Sequence, residues 1–333
     1  MKDWVQSILE NKKRVAIPIM THPGIELIGR TVYEAVTDGR VHYEAIRALN
    51  EKYPSAACSV IMDLTVEAEA FGATIDFPED GIPTVIGRLV EDFDSVEKLT
   101  VPDVTCARVP QYLLANKLTA ENITDKPVFS GMIGPFSLSG RLYDMSEFLM
   151  SCYCEPETAE LLLEKCTSFL IAYGLELKKM GVHGVVLAEP AAGLMSNDGC
   201  SEFSSRYVTK IVEALQDESF MVILHNCGNA GHCTEAMVQT GAMAYHFGNK
   251  INMVEALKGC PSDTLVMGNI DPVSLFQQAT PEVLGNAVTK LLEEMKEFPN
   301  YILSSGCDVP PHTPHANIEA FYHAVDAYNQ RLK

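Results

Sequence analysis

Eight short, nearly continuous apolar runs recur along the chain. Runs of this kind are typical of strands that are buried on both faces, as in a parallel sheet. The sequence therefore predicts eight strands, at Val15–Met20, Ala57–Asp63, Pro127–Gly134, Gly184–Glu189, Val222–Cys227, Ala244–Phe247, Leu265–Ile270 and Tyr301–Ser305.

Stretches with helical spacing of apolar residues separate most of these runs. The predicted helices are His42–Lys52, Glu157–Lys179, Ser201–Leu215, Gly231–Thr240, Met253–Lys258, Pro281–Met295 and Ala316–Leu332. Eight strands with intervening helices predict an α/β fold, a (β/α)₈ TIM barrel. An open doubly wound sheet is the alternative, but no Gly-x-Gly-x-x-Gly phosphate loop is present, which favours the barrel.

The barrel is expected to use residues 1–333 as one domain, because barrels of this class need 250 or more residues. Residues 64–126 do not follow the strand–helix pattern and are predicted to be an irregular excursion. Within them, Phe71–Val85 contains Gly72, Pro78, Gly81 and Pro83, which indicates a loop.

Composition and charge narrow the function classes. The chain has 44 acidic and 25 basic residues, a formal charge of −19, and 47% hydrophobic residues, which is a globular composition. A strongly acidic surface repels phosphate backbones, so we expect no nucleic-acid partner. No apolar run reaches the roughly 18–20 residues that span a bilayer, and the N-terminus has no signal pattern. We therefore expect a cytoplasmic protein with no membrane partner.

In barrels, catalytic groups project from the carboxyl ends of the strands. The polar residues that stand there or just beyond are Asp63, Glu189, His225, Cys227, His246, Asp271 and Cys307. Beyond the second strand, Glu67 and Glu69 would form a carboxylate pair if that segment were extended; a solvated or capping role is the alternative.

The strongest chemistry lies in His225-x-Cys227 together with Cys307. Alternate residues of a strand point the same way, so His225 and Cys227 can share a cation. Cys307, at another strand end, can complete the set. One imidazole and two thiolates suit Zn²⁺, and three protein ligands leave a position open for a substrate. The structural alternative is a core cysteine beside a satisfied histidine.

Several stretches resemble the uroporphyrinogen decarboxylase superfamily, and within it the cobalamin-dependent, zinc-containing methyltransferases, which include methylcobalamin:coenzyme M methyltransferases. The stretches are Asp63-Leu64-Thr65-Val66-Glu67-Ala68-Glu69-Ala70-Phe71-Gly72, Gly134-Pro135-Phe136-Ser137-Leu138, His225-Asn226-Cys227-Gly228, Gly268-Asn269-Ile270-Asp271-Pro272 and Ser305-Gly306-Cys307-Asp308. The resemblance implies a (β/α)₈ barrel with His225, Cys227 and Cys307 as zinc ligands. It also implies methyl transfer between a corrinoid (methylcobamide) and a thiol or folate acceptor.

Other roles follow from position and resemblance. The corrinoid is expected on a separate corrinoid protein, because the base-off motif Asp-x-His-x-x-Gly is absent. Glu189 is a predicted catalytic residue, as a fourth ligand or proton acceptor; the alternative is that it caps a loop or orients His225. His246, Asp271 and Arg141 are predicted to bind substrate, Arg141 through a sulfonate or carboxylate. Asp63 is predicted to be catalytic, since it aligns with the catalytic aspartate of the decarboxylases.

Two other functions remain open at this point. One is a metal-free carbon–carbon lyase like the decarboxylases themselves. Their N-terminal arginine motif should fall at Met20–Arg30, where only Arg30 is basic, so eight substrate carboxylates would lack partners. The other is a non-catalytic barrel that binds a small ligand.

Overall fold

The computed structural model describes residues 1–332. Seven of its strands form one parallel sheet in the order β1-β4-β5-β6-β7-β8-β9, and β2 and β3 form an antiparallel hairpin. The strands are β1 Cys58–Ser59, β2 Thr74–Asp76, β3 Thr84–Ile86, β4 Val128–Ile133, β5 Gly184–Ala188, β6 Met221–Asn226, β7 Ala244–Phe247, β8 Leu265–Ile270 and β9 Tyr301–Ser305.

Helices connect the parallel strands and cover the outside of the sheet. They are α1 Lys2–Leu9, α2 Pro23–Leu27, α3 Val32–Thr37, α4 Gly39–Lys52, α5 Val66–Ala70, α6 Phe93–Lys98, α7 Val109–Asn122, α8 Pro135–Tyr143, α9 Met145–Cys154, α10 Pro156–Lys179, α11 Asn197–Cys200, α12 Arg206–Leu215, α13 Thr234–Val238, α14 Met253–Gly259, α15 Pro281–Glu294 and α16 His315–Arg331. A 3₁₀ turn covers Pro190–Leu194, and π turns cover Ser201–Ser205 and Pro272–Gln277.

The segment predicted as the first strand, Val15–Met20, closes the sheet into a barrel, but without a regular ladder. Only Ala16 forms a β-bridge, to Leu303 of β9, and the Ala56 N–H donates to the Ala16 carbonyl on the other side. Pro18 has no N–H to donate, and the Ile19 N–H donates to the Ser305 hydroxyl at 3.0 Å. The predicted α/β barrel is confirmed, with its first strand reduced to one bridge.

The second predicted strand, Ala57–Asp63, is also shorter than expected. The ladder to β4 continues through Val60, whose N–H donates to Phe129. The next N–H, that of Ile61, donates to the His42 imidazole at 2.9 Å. Burial lowers the pKa of His42 to about 3, so the ring is neutral and can accept this hydrogen bond. The side chain of a helix thus replaces the strand partner.

Residues 64–126 contain more regular structure than the sequence pattern predicts. Helices α5, α6 and α7 lie here, and the predicted loop at Phe71–Val85 contains β2 and most of β3. The strands β2 and β3 have only three residues each, too short for an alternation to show in the sequence. In the part of the chain that the structure describes, no helix combines the length and the apolar character that crossing a membrane requires.

The interior of the barrel is a separate apolar cluster. Inward-facing residues of the strands form it, including Phe129, Val186, Met221, Ile223, Ala244, Leu265, Met267 and Ile302. Helix α1 packs against one end, where the Trp4 ring meets the Phe129 ring edge-on at 5.8 Å. The opposite end, beyond the carboxyl ends of the strands, is where the polar residues lie.

Candidate metal centre

The candidate metal centre grows out of the inward-facing positions of β6. Met221 and Ile223 pack in the barrel interior, and the alternation of the strand turns His225 to the same side. Strand β6 ends at Asn226, and Cys227 follows in the turn. A Cβ at position 248 would lie 2.6 Å from the Cα of Cys227, so this turn packs on a backbone where only glycine fits.

The structure brings His225, Cys227 and Cys307 together. One ligand atom from each of the three lies within 4.8 Å of the others. His225 is buried and the two cysteines are half-buried, and the three residues lie at or just beyond the carboxyl ends of β6 and β9. Asp308, next to Cys307, pairs with His22 at 2.9 Å, which ties the Cys307 turn to the first segment of the barrel.

The hydrogen bonding of His225 is a second observation that supports a zinc site. His225 Nε2 is a buried polar atom with no hydrogen-bond partner among residues 1–332, whereas its Nδ1 lies 2.8 Å from His246 Nδ1. A buried polar atom without a partner costs free energy, and native proteins seldom leave one. A cation held with the sulfurs of Cys227 and Cys307 would satisfy it, and this ligand set is one that Zn²⁺ takes in catalytic sites.

The two thiols also affect each other. The neighbouring Cys307 lowers the pKa of Cys227, although burial opposes the change. The neighbouring Cys227, together with burial, raises the pKa of Cys307, and His225 opposes this change. The two sulfurs are therefore close enough to influence each other, as two ligands of one cation would be.

Glu189 lies outside this cluster. Its Oε2 accepts from the Phe136 N–H at 2.9 Å and its Oε1 from the Ser137 N–H at 2.6 Å, both in the first turn of α8. Burial raises the pKa of Glu189 to about 7, and these hydrogen bonds oppose the shift. The carboxyl group thus caps a neighbouring helix and not a loop, and a catalytic role for Glu189 stays a prediction.

His246 and Asp271 also have internal partners. His246 is 1% exposed, and its Nε2 lies 2.8 Å from the Ser304 hydroxyl, which argues against the predicted substrate contact. Asp271 Oδ1 accepts from the Val273 N–H at 2.9 Å and begins the π turn that follows β8. A substrate-binding role for Asp271 stays a prediction.

Arg141, in the last turn of α8, is different. Its guanidinium has no hydrogen bond or ion pair within the described residues 1–332. Burial lowers its pKa, and the nearby Asp63 and Glu67 carboxyls oppose this shift. A half-buried cation without a partner is available to an anionic ligand, so the geometry is compatible with the prediction for Arg141.

A protein-family model described as uroporphyrinogen decarboxylase (URO-D) matches residues 14–328. The chain belongs to this family. The family predicted from the sequence motifs is therefore confirmed.

Relatives of this URO-D family member are named both as methyltransferases and as decarboxylases. The methylcobamide:CoM methyltransferase MtbA of Methanosarcina acetivorans is 28% identical over 278 residues, 82% of this chain and 80% of the relative. A methylated-thiol–coenzyme M methyltransferase of Methanosarcina mazei is 25% identical, covering 79% and 70%. A uroporphyrinogen decarboxylase of Alcanivorax borkumensis is 25% identical, covering 84% and 81%.

Solved structures support the fold. A methyltransferase from Methanosarcina mazei superposes with a TM-score of 0.88 at 22% identity, covering 98% of this chain and 97% of that one. A B12-independent methionine synthase from Shewanella sp. reaches a TM-score of 0.59 at 17% identity, covering 88% of each chain. At these identities the likeness establishes the fold of the URO-D family member.

Sequence reasoning missed the ion-pair network around Asp63. The Arg108 guanidinium donates to Asp63 at 2.6 Å and also pairs with Glu69. Asp63 further accepts from the Thr65 hydroxyl at 2.7 Å and from the Tyr112 hydroxyl at 3.2 Å. The carboxylate is therefore engaged within the protein, and its predicted catalytic role is untested. Arg108 precedes α7 in the irregular region, where no local pattern marks it.

Glu67 and Glu69 do not form the carboxylate pair of an extended segment, because Val66–Ala70 is the helix α5. Glu69 turns to Arg108, whereas Glu67 is buried and its Oε1 accepts from the Ile133 N–H at 3.0 Å. Its Oε2 has no partner among residues 1–332. Burial raises the pKa of Glu67 to about 7. The sequence signal was a carboxylate just after a predicted strand end.

Proposed function

We propose that the protein is a zinc-dependent methyltransferase, which moves a methyl group between a corrinoid carried on a separate protein and a thiol. The observation that carries the proposal is the unpartnered, buried Nε2 of His225 within 4.8 Å of two cysteine sulfurs. Relatives named as methylcobamide:CoM and methylated-thiol–coenzyme M methyltransferases support it.

The chemistry requires an activated sulfur nucleophile. His225, Cys227 and Cys307 would hold the zinc, which when bound would supply this activation by lowering the pKa of an incoming thiol so that its proton leaves to solvent. In the overall transfer, the methyl carbon of methylcobamide would exchange its cobalt–carbon bond, whose electron pair would stay on cobalt, for a bond to the acceptor sulfur. Cys227 and Cys307 would hold the cation as thiolates, and their two negative charges would leave the bound sulfur electron-rich. Both cysteines are half-buried, which is compatible with access of the two substrates to the centre.

Arg141 would bind an anionic group of the methyl acceptor, since its guanidinium has no partner of its own in residues 1–332. Arg141→Gln should raise KM for an anionic thiol about tenfold or more, with a smaller change in kcat, because one charge-assisted contact is worth about 1.5–3 kcal/mol. A neutral thiol of similar size is the control and should be affected little. Equal KM values for wild type and variant with the anionic thiol would remove Arg141 from the acceptor site.

The first test is metal content and turnover together. Protein purified without added metal or a histidine tag should hold about one zinc per chain, and it should demethylate methylcobalamin with at least one member of a panel of thiols and folates. Cys307→Ser should lose both zinc and turnover. Cys154→Ser, at an exposed cysteine, is the matched control and should keep both. A Cys307→Ser variant with full zinc and wild-type turnover would overturn the proposal.

A second variant tests the alternative of a metal-free decarboxylase. This alternative is considered because uroporphyrinogen decarboxylases, such as that of Alcanivorax borkumensis, are among the relatives. A metal-free lyase would retain its activity after Cys227→Ala. Two observations argue against it. Arg30 is the only arginine or lysine in 20–30, and it pairs with Glu34 on the surface. Asp63 pairs with Arg108, which also pairs with Glu69, so the Asp63 carboxylate is engaged within the protein.

A further inference from the structure

The two histidines at the carboxyl end of the barrel form part of a longer hydrogen-bonded chain. His225 and His246 are register partners on β6 and β7, and their Nδ1 atoms lie 2.8 Å apart. His246 Nε2 lies 2.8 Å from the Ser304 hydroxyl on β9. That hydroxyl lies 2.7 Å from the Ile17 carbonyl in the segment that closes the barrel.

The carbonyl at the far end sets the direction of every hydrogen bond in this chain. A carbonyl can only accept, so the single proton of the Ser304 hydroxyl points to Ile17. Ser304 must then accept from His246, which places the ring proton of His246 on Nε2. A neutral imidazole with its proton on Nε2 has a free lone pair on Nδ1.

His225 therefore has to be the donor in the contact between the two rings. Its proton lies on Nδ1 and is directed at His246 Nδ1. This leaves the lone pair of His225 on Nε2, the atom that has no hydrogen-bond partner among residues 1–332. Both rings are buried, and neither forms a hydrogen bond or ion pair with a carboxylate among residues 1–332 that would stabilise a second ring proton.

We propose that the Ile17 carbonyl, Ser304 and His246 hold His225 in the Nδ1–H tautomer before any metal binds, so that Nε2 is presented as a ready ligand. His246 is then a positioning residue and not a substrate contact. The inference rests on the proposed zinc site for its purpose. Its geometry is independent of that site, because every contact in the chain lies within the protein.

The arrangement differs from the common carboxylate–histidine–metal pattern, in which an anion accepts the second ring proton. A neutral imidazole as acceptor adds no charge to a centre that already holds two cysteines. It also orients the His225 ring: the two rings meet at 70° with centroids 4.7 Å apart. The ring is held in place from β7, the neighbouring strand, and not from a mobile loop.

The tautomers of the His225 and His246 rings can be measured by NMR. Two-bond ¹H–¹⁵N correlation spectra of metal-free protein labelled with ¹⁵N-histidine distinguish Nδ1–H from Nε2–H rings. We expect an Nδ1–H ring for His225 and an Nε2–H ring for His246, assigned through variants that lack each histidine. In Ser304→Ala, His246 loses its acceptor and both rings should show mixed tautomers. Zinc affinity, measured by chelator competition, should fall about 10–100-fold.

Ser305→Ala is the matched control, since Ser305 also hydrogen-bonds the closing segment, through Ile19, but does not contact His246. It should keep the wild-type tautomers and zinc affinity within about twofold of wild type. His246→Asn places an amide oxygen near the former Nδ1 and should retain more affinity than His246→Leu, which has no acceptor.

Three results would overturn the inference: an Nε2–H ring at His225 in the wild type, unchanged tautomers and affinity in Ser304→Ala, or equal losses in Ser304→Ala and Ser305→Ala. The spectra of the metal-free protein report the tautomer whether or not zinc binds. Failure of the proposed function would appear in the metal content, and failure of this inference would appear in the spectra.

Discussion

Glu67 offers a sharp test of how burial controls charge at the open end of the barrel. The side chain is 2% exposed. Its Oε1 accepts one hydrogen bond, from the Ile133 N–H at 3.0 Å, and its Oε2 has no partner among residues 1–332. A carboxylate in such a place is costly, because one backbone donor does not replace its hydration. The perturbation is Glu67→Gln, which keeps the shape and removes the ionisation.

The size and sign of the effect follow from the pKa. Burial raises the pKa of Glu67 from 4.5 to about 7, and a difference of about 2.5 corresponds to about 3 kcal/mol of folding free energy. The pKa of Glu67 is higher in the folded state than in the unfolded state. The contribution of Glu67 to the free energy of unfolding is therefore largest below pH 4.5, and it is lost as the pH rises to about 7. Above that pH the wild type carries the full cost of a buried charge.

Urea unfolding from pH 4.5 to 8 measures this directly. The free energy of unfolding of the wild type, relative to Glu67→Gln, should fall by about 3 kcal/mol between pH 4.5 and 7 and then level off. Glu44→Gln, at an exposed glutamate, is the control and should run parallel to the wild type. Parallel curves for Glu67→Gln and wild type over the whole range would refute the reasoning.

Three further predictions concern the same end of the barrel. Arg108→Met should cost about 3–5 kcal/mol in urea unfolding at pH 7, because it leaves the Asp63 carboxylate buried without its partner; a loss below 1 kcal/mol would contradict this. Gly248→Ala should cost about 1–3 kcal/mol and weaken zinc binding in chelator competition, since the new Cβ would meet the Cys227 backbone; wild-type affinity would count against it. Glu189→Gln should leave the zinc X-ray absorption spectrum unchanged, because both carboxylate oxygens bond to α8; an altered spectrum would restore it as a ligand.

The sequence predicts the later strands of the barrel closely and the first two poorly. Ala244–Phe247 and Leu265–Ile270 have the predicted bounds, because strands buried on both faces need long apolar runs and backbone partners on both sides. In Val15–Met20 the apolar run is present, but Pro18 and the Ser305 hydroxyl interrupt the backbone ladder. Apolar patterning reports burial, and it does not report which atom accepts each N–H.

The same distinction explains the outcome at the site. Strand-end position was enough to bring His225, Cys227 and Cys307 together, since the topology of a barrel fixes where its strands end. The partners of Glu189 could not be predicted, because the N–H groups it caps belong to a helix more than fifty residues earlier in the chain. Arg108 was missed for the same reason: its partners are distant in sequence.

The alternation that fills the barrel also builds its chemistry. On β6 the inward positions run Met221, Ile223, His225, and on β9 Ile302 is followed two residues later by Ser304. The apolar members exclude water from the interior, so the polar members above them must find partners within the protein. One hydroxyl, by donating to the closing segment at 2.7 Å, helps to close the barrel and leaves His246 only one way to hydrogen-bond. The closure of the fold and the free lone pair on His225 are therefore two consequences of the same buried polar layer.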